Sequence, residues 1–262
     1  MGLTRAIAAA TVALIGCVSA AAQPGSQPVP FESTRDSKAL LARGVEAYVT
    51  GNDPVALTIF RQAAALGNVD AMMYLGVMNG TGRGLAVDYQ AAMTWFRKAA
   101  EAGNSQAMCN IGLLYLQGLG QPQNYTEALS WFRKAATVGN AEAAFNVGVV
   151  YRDGLGVPVN YPEAVKWFRT AAGQGDNTAQ NAIGVMYQQG HGVRLDYAEA
   201  MNWYRRAADA GNGTAMYNIG LLFEDGLGVE KSRTQAIFWY RKGADAGNDL
   251  AKSALKNLGV KD

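Results

Sequence analysis

The side chains best suited to nucleophilic, acid–base or metal chemistry are His191, Cys17, Cys109 and a scatter of carboxylates. His191 is the only histidine and stands where Leu119, Leu155 and Leu227 stand in three similar loops, so it reads as a loop substitution. One histidine with one cysteine far away in the chain makes neither a triad nor a metal cluster. Glu127, Glu163 and Glu199 each follow three residues after Asn124, Asn160 and Asp196, the spacing of a helix capping box, which gives them structural work. Asp153 and Asp225 have no evident nucleophile or base beside them. The paired glycines of Gly118-Leu119-Gly120, Gly154-Leu155-Gly156 and their counterparts could suggest a phosphate cradle. Such a loop follows a strand and carries a Lys-Ser/Thr pair into a helix, and these do neither. The residues therefore point to a non-enzyme, with no catalytic, cofactor-binding or metal-binding position.

The stronger signal is periodic. All five tryptophans, Trp95, Trp131, Trp167, Trp203 and Trp239, are spaced by 36 residues. Arginine recurs at 61, 97, 133, 169, 205 and 241, and glycine at 67, 103, 139, 175, 211 and 247 and again at 76, 112, 148, 184 and 220. A fixed period of this length belongs to a repeat array in which each unit is one supersecondary element. Each unit reads as helix A, glycine loop, helix B and tight turn. Asp88, Asn124, Asn160, Asp196 and Ser232 are N-cap residue types at the start of helix B. Gly103-Asn104 and its repeats supply a left-handed C-terminal glycine and then a cap for the next helix A. The fold class expected is all-α, a right-handed α-solenoid of helix-turn-helix repeats with a 36-residue period. An atypical first helix pair spans 35–66, full repeats run from about 71, and a capping helix closes the array at 249–258. If the tryptophans are core, Trp167→Ala should cost on the order of 3–5 kcal/mol. The arginine column is read as serving the repeat interface, pairing with the capping Glu or a loop carbonyl.

Charge and cysteine content narrow the possibilities. Lys plus Arg is 23 and Asp plus Glu is 21, a net charge of +2 without like-charge blocks, so nothing steers the chain to nucleic acid or an anionic membrane. Residues 1–22 have the pattern of an export signal, with Arg5, an apolar stretch from Ala6 to Val18, and Ala20-Ala21-Ala22 before Gln23. A second processing site competes: Leu14-Ile15-Gly16-Cys17 resembles a bacterial lipobox, which would make Cys17 the lipidated first residue. The expected location is thus periplasmic or secreted, with a membrane anchor only through Cys17. Residues 23–34 hold three prolines with Gly and Ser and read as an extended linker. Cys109 is then the one cysteine of the body, and it reads as a small semi-apolar helix residue.

The body resembles the Sel1-like repeat proteins, relatives of the tetratricopeptide repeats. The resemblance rests on the pattern A-x-x-W-[FY]-R-x-A-A-x-x-G-[ND] followed by A-x-x-x-[IVL]-G-x-x-[YF]-x-x-G-x-G-V, seen here from Ala200 to Asn212 and from Ala215 to Val229. It implies a scaffold or adaptor for protein complexes, and for exported bacterial members a part in envelope signalling or host interaction. A cysteine-rich secreted branch, described as binding or hydrolysing β-lactams, carries a disulfide in each repeat. This chain has no such pair, and that activity is not carried over. Specificity is expected in columns that change from copy to copy. Two lie on helix A, Cys109, Phe145, Asn181, Tyr217 and Leu116, Arg152, Gln188, Glu224, flanking the aliphatic column Leu113, Val149, Val185, Leu221. Spacing of i, i+4 and i+7 puts them on one helical face. The resemblance implies that helix A lines the concave surface, so that these twelve residues would form a groove for a protein or peptide, held by side-chain contacts. The competing reading is that their apolar members are core between repeats.

Overall fold

Thirteen helices and no strand occupy the residues that this computed structural model describes, 31–260. The expected export signal, its cleavage before Gln23, lipidation of Cys17 and the linker up to residue 30 lie outside the described residues. Residues 31–34, expected in the linker, are already helical.

The chain divides into two compact units, one up to Val138 and one from Gly139. The first contains α1 (Phe31–Val49), α2 (Asp53–Ala65), α3 (Val69–Thr81), α4 (Tyr89–Glu101), α5 (Ser105–Gln117) and α6 (Tyr125–Thr137). The second contains α7 (Ala141–Asp153), α8 (Tyr161–Gly173), α9 (Asn177–Gln189), α10 (Tyr197–Asp209), α11 (Gly213–Asp225), α12 (Arg233–Asp245) and α13 (Asp249–Asn257). Within each unit the helices pack as A–B pairs, such as α3 with α4 or α7 with α8, and each B helix also packs on the A helix that follows it. Serial stacking of helix pairs is the α-solenoid fold.

The local chemistry explains why every repeat folds alike. Asn104, Asn140, Asp176 and Asn212 accept the N–H three residues on and so cap α5, α7, α9 and α11. Asp88, Asn124, Asn160, Asp196 and Ser232 do the same for the B helices. The reciprocal half of a capping box does not form. The N-cap N–H of Asn124 instead donates to the Tyr115 carbonyl at 2.9 Å, and that of Asn160 to the Tyr151 carbonyl at 2.8 Å. This frees the capping-position glutamates for other partners: Glu163 Oε1 accepts from Trp167 Nε1 at 2.9 Å.

The tryptophans are not the centre of the core. Each is only partly buried, and in four of the five the outer face is covered by a cation one turn on. Lys98 lies 4.6 Å from the centre of Trp95, Lys134 4.3 Å from Trp131, Arg206 4.8 Å from Trp203 and Lys242 5.0 Å from Trp239, whereas Trp167 has Thr170 there. The fully buried ring is the next residue: Phe96 and Phe132 in the first unit, Phe168, Tyr204 and Tyr240 in the second. A step of one residue turns a side chain about 100° around the helix, which separates the two neighbours between core and rim. The buried ring lies against the glycine column of helix A. A Cβ on Gly112 would stand 2.5 Å from Phe132, and one on Gly148 2.5 Å from Phe168. Glycine recurs there because the ring occupies the space of its missing side chain.

The first pair is tied to its neighbour by charge. Arg83 donates to Asp53 Oδ1 at 2.5 Å and to the Tyr48 carbonyl at 2.7 Å, and its guanidinium lies 3.6 Å from the centre of the Tyr48 ring. The Asp53 bond raises the Arg83 pKa further. For two members of the arginine column the partner is a tyrosine hydroxyl: Arg97 donates to that of Tyr115 at 3.2 Å in the first unit, and Arg169 to that of Tyr187 at 2.8 Å in the second. In these two copies the arginine reaches the tyrosine of the next helix A, in place of the expected capping Glu or loop carbonyl.

Candidate partner-binding face

The twelve expected groove residues fall into two different environments. In the first unit, Cys109 and Leu113 of α5 are buried, and Leu116 is partly exposed. In the second unit all nine are partly exposed: Phe145, Val149 and Arg152 on α7, Asn181, Val185 and Gln188 on α9, and Tyr217, Leu221 and Glu224 on α11.

The polar members of the second unit are each fixed by a neighbour. Arg152 pairs with Asp153 through two bonds of 2.7 and 2.8 Å. Asn181 Oδ1 accepts from Asn218 Nδ2 at 2.9 Å. The Tyr204 hydroxyl donates to Gln188 Oε1 at 2.5 Å, and the Tyr240 hydroxyl donates to Glu224 Oε2. The aromatic members lean on the buried ring of the following helix. Phe145 is 5.5 Å from Phe168 at 36°, and Tyr217 is 5.6 Å from Tyr240 at 33°. Side chains held in this way lose little rotamer freedom on binding. Burial raises the Tyr204, Tyr217 and Tyr240 hydroxyls above their ordinary pKa, and the Glu224 carboxylate adds to the shift at Tyr217 and Tyr240.

The tyrosine–acceptor pairing escapes a reading made one column at a time. Its trace in the sequence is a joint change: where the buried ring is Phe132 or Phe168, the face carries Leu116 or Arg152, and where it is Tyr204 or Tyr240, the face carries Gln188 or Glu224. A buried hydroxyl needs a partner, and the variable residue supplies it.

The residues with the greatest chemical reach are engaged or enclosed. The His191 ring stacks on Tyr161 at 4.3 Å and 8°, the packing role its leucine counterparts suggest, and Cys109 is buried. Among the described residues, no three His, Cys, Asp or Glu side chains are grouped to hold a metal. No described helix is long and apolar enough to cross a membrane.

Against this geometry, the model of the Sel1 repeat family matches six consecutive segments: 39–68, 69–104, 105–140, 141–176, 177–212 and 213–248. The crystal structure of a Sel1 repeat protein from Oxalobacter formigenes is 33% identical, with a TM-score of 0.77 over 83% of this chain and 89% of that one. A protective antigen of uropathogenic Escherichia coli with the same repeat fold is 33% identical, with a TM-score of 0.70. That match covers 85% of this chain and 48% of the antigen. An immunity protein from Pseudomonas aeruginosa, 19% identical with a TM-score of 0.56 over 87% of this chain and 85% of that one, shares the fold alone. No curated protein matches. The repeat solenoid of these proteins is the architecture of a protein-interaction scaffold, typically without catalysis of its own. Six matched repeats across the body, and a third of residues shared with a Sel1 protein over most of both chains, make this chain a member of the Sel1 repeat family.

Proposed function

We propose that the protein is an exported, non-enzymatic adaptor that binds a protein partner through the helix A face bearing the variable columns, centred on α7, α9 and α11. One observation carries this reading. Residues that recur unchanged, such as Gly148, Gly184 and Gly220, are consumed in packing against buried rings. Residues that differ between copies remain partly exposed on the three A helices α7, α9 and α11 and are held in fixed positions. Variable, partly apolar and pre-positioned side chains are what an extended or helical peptide requires of a docking face.

A photo-crosslinking residue placed at Val185, within the face, is compared with one at exposed Lys166 on α8, in cells that make the protein. An adaptor gives a discrete covalent adduct from position 185 and none from 166. Equal labelling from both positions, or none, would overturn this assignment of the face.

Export rests on the leader, and the intact mass of the mature protein after membrane fractionation tests it. A soluble chain beginning at Gln23 supports a diffusible adaptor. A lipid-modified chain beginning at Cys17 supports the second reading, an envelope tether, which the Leu14-Ile15-Gly16-Cys17 sequence favours. An unprocessed chain retaining Met1 contradicts both.

A further inference from the structure

The last turn of α11 is electrostatically at odds with its position. A helix C-terminus carries about half a negative charge and favours a cation nearby. Here the final two residues are Glu224 and Asp225, and no basic residue stands in that turn. The other A helices of the second unit avoid the conflict: α7 ends with Arg152 paired to Asp153, and α9 ends with neutral Gln188 and Gln189. Neither Glu224 nor Asp225 forms an ion pair among the described residues, although Lys231 begins beside Gly226 in the adjoining loop.

The surroundings hold this charge in place without cancelling it. The Tyr240 hydroxyl fixes one Glu224 oxygen, and a neutral donor leaves the negative charge whole. The Tyr217 ring lies seven residues back, about two helical turns, on the same face, tilted against Tyr240 at 5.6 Å. One repeat further on, α13 carries Ser253 and Asn257 at the register of Tyr217 and Leu221, both exposed, so that no large side chain of the array stands at those positions. A fixed carboxylate, a π face and a helix C-terminus all favour the same ligand, an organic cation.

We infer that Glu224, Tyr217 and the carboxyl end of α11 form a recognition pocket for a lysine or arginine side chain of the protein partner. The inference rests on the proposed adaptor role and adds the chemistry of what is recognised. The sequence also contains its own control. One repeat earlier the same hydroxyl is accepted by a neutral amide, Gln188 from Tyr204, so Glu224→Gln keeps the internal bond and removes only the charge.

The test is a random dodecapeptide library panned in parallel on the full chain and on its Glu224→Gln variant. Binding sites are mapped by amide chemical shifts and affinities measured by fluorescence polarisation. Peptides that map to α7, α9 and α11 of the wild type should carry Lys or Arg. Replacing that residue by Gln, or Glu224 by Gln, should weaken binding about tenfold, and the two changes together no further than either alone. Face-bound peptides without a basic residue, or basic peptides indifferent to Glu224→Gln, would overturn the cation pocket and leave the adaptor reading intact. Failure to recover any peptide on this face would overturn both. Self-association of the wild type that Glu224→Gln abolishes, seen by sedimentation, would make the occupant a second copy and overturn the assignment to a partner.

Discussion

The Tyr240 hydroxyl donates to the Glu224 carboxylate, joining the most deeply buried ring of α12 to the outer face of α11. Core and face are therefore one hydrogen-bonded unit at this end of the array, and Tyr204 with Gln188 repeats the arrangement one step earlier. A substitution on the face here is also a substitution in the packing.

That coupling sets a pH dependence. Burial holds both hydroxyls above the ordinary tyrosine value of 10.0, so the folded chain keeps protons that the unfolded chain loses. The stability this represents is fully present below pH 10 and declines as pH rises past it. Denaturant unfolding between pH 9 and pH 11 should show stability falling above pH 10. The Tyr204→Phe/Tyr240→Phe double variant should give a shallower fall. Near neutrality Tyr204→Phe should cost about 1 kcal/mol, the loss of one neutral hydrogen bond, and Tyr240→Phe about 1.5–3 kcal/mol, because its acceptor is charged. A double variant as pH-sensitive as the wild type would contradict the assignment.

Burial ranks the two aromatic columns. Phe168 is fully buried and Trp167 only partly, so Phe168→Ala should cost about 3–5 kcal/mol and Trp167→Ala about 1–2 kcal/mol. Chemical denaturation of the two variants checks the order. A tryptophan variant as unstable as the phenylalanine one would restore the tryptophan as the centre of the core.

The fit of Gly148 against Phe168 predicts an overpacking penalty. A methyl group there would lie 2.5 Å from the ring, and Gly148→Ala should destabilise by about 1–3 kcal/mol despite the better helix propensity of alanine. Shrinking the ring in Gly148→Ala/Phe168→Leu should recover part of that loss relative to Phe168→Leu alone. Additive effects in thermal melts would show that the two positions are not in contact.

The period, the A and B helices, their caps and the left-handed glycines were legible because each depends on residues close in the chain. Asn104 caps α5 whatever lies around it, and Gly103, with φ at 90°, takes a backbone conformation closed to most other residues. Repetition then multiplied a weak local signal until the fold was determined by sequence alone. The tertiary structure decided what depends on orientation across helices. Trp167 and Phe168 are equally plausible core residues in a sequence, and only the approach of Gly148 decides that the ring of Phe168 is enclosed. The capping-box spacing of Asn160 and Glu163 was real, yet the Tyr151 carbonyl took the N–H that the glutamate would have accepted. The same holds for the face. The variable columns could be counted in the sequence, but only the packed chain placed Cys109 inside, left Tyr217 partly exposed, and put the Tyr240 hydroxyl, sixteen residues away, on Glu224. Side chains of different helices meet through the geometry of packing, and no local rule of the chain encodes that meeting.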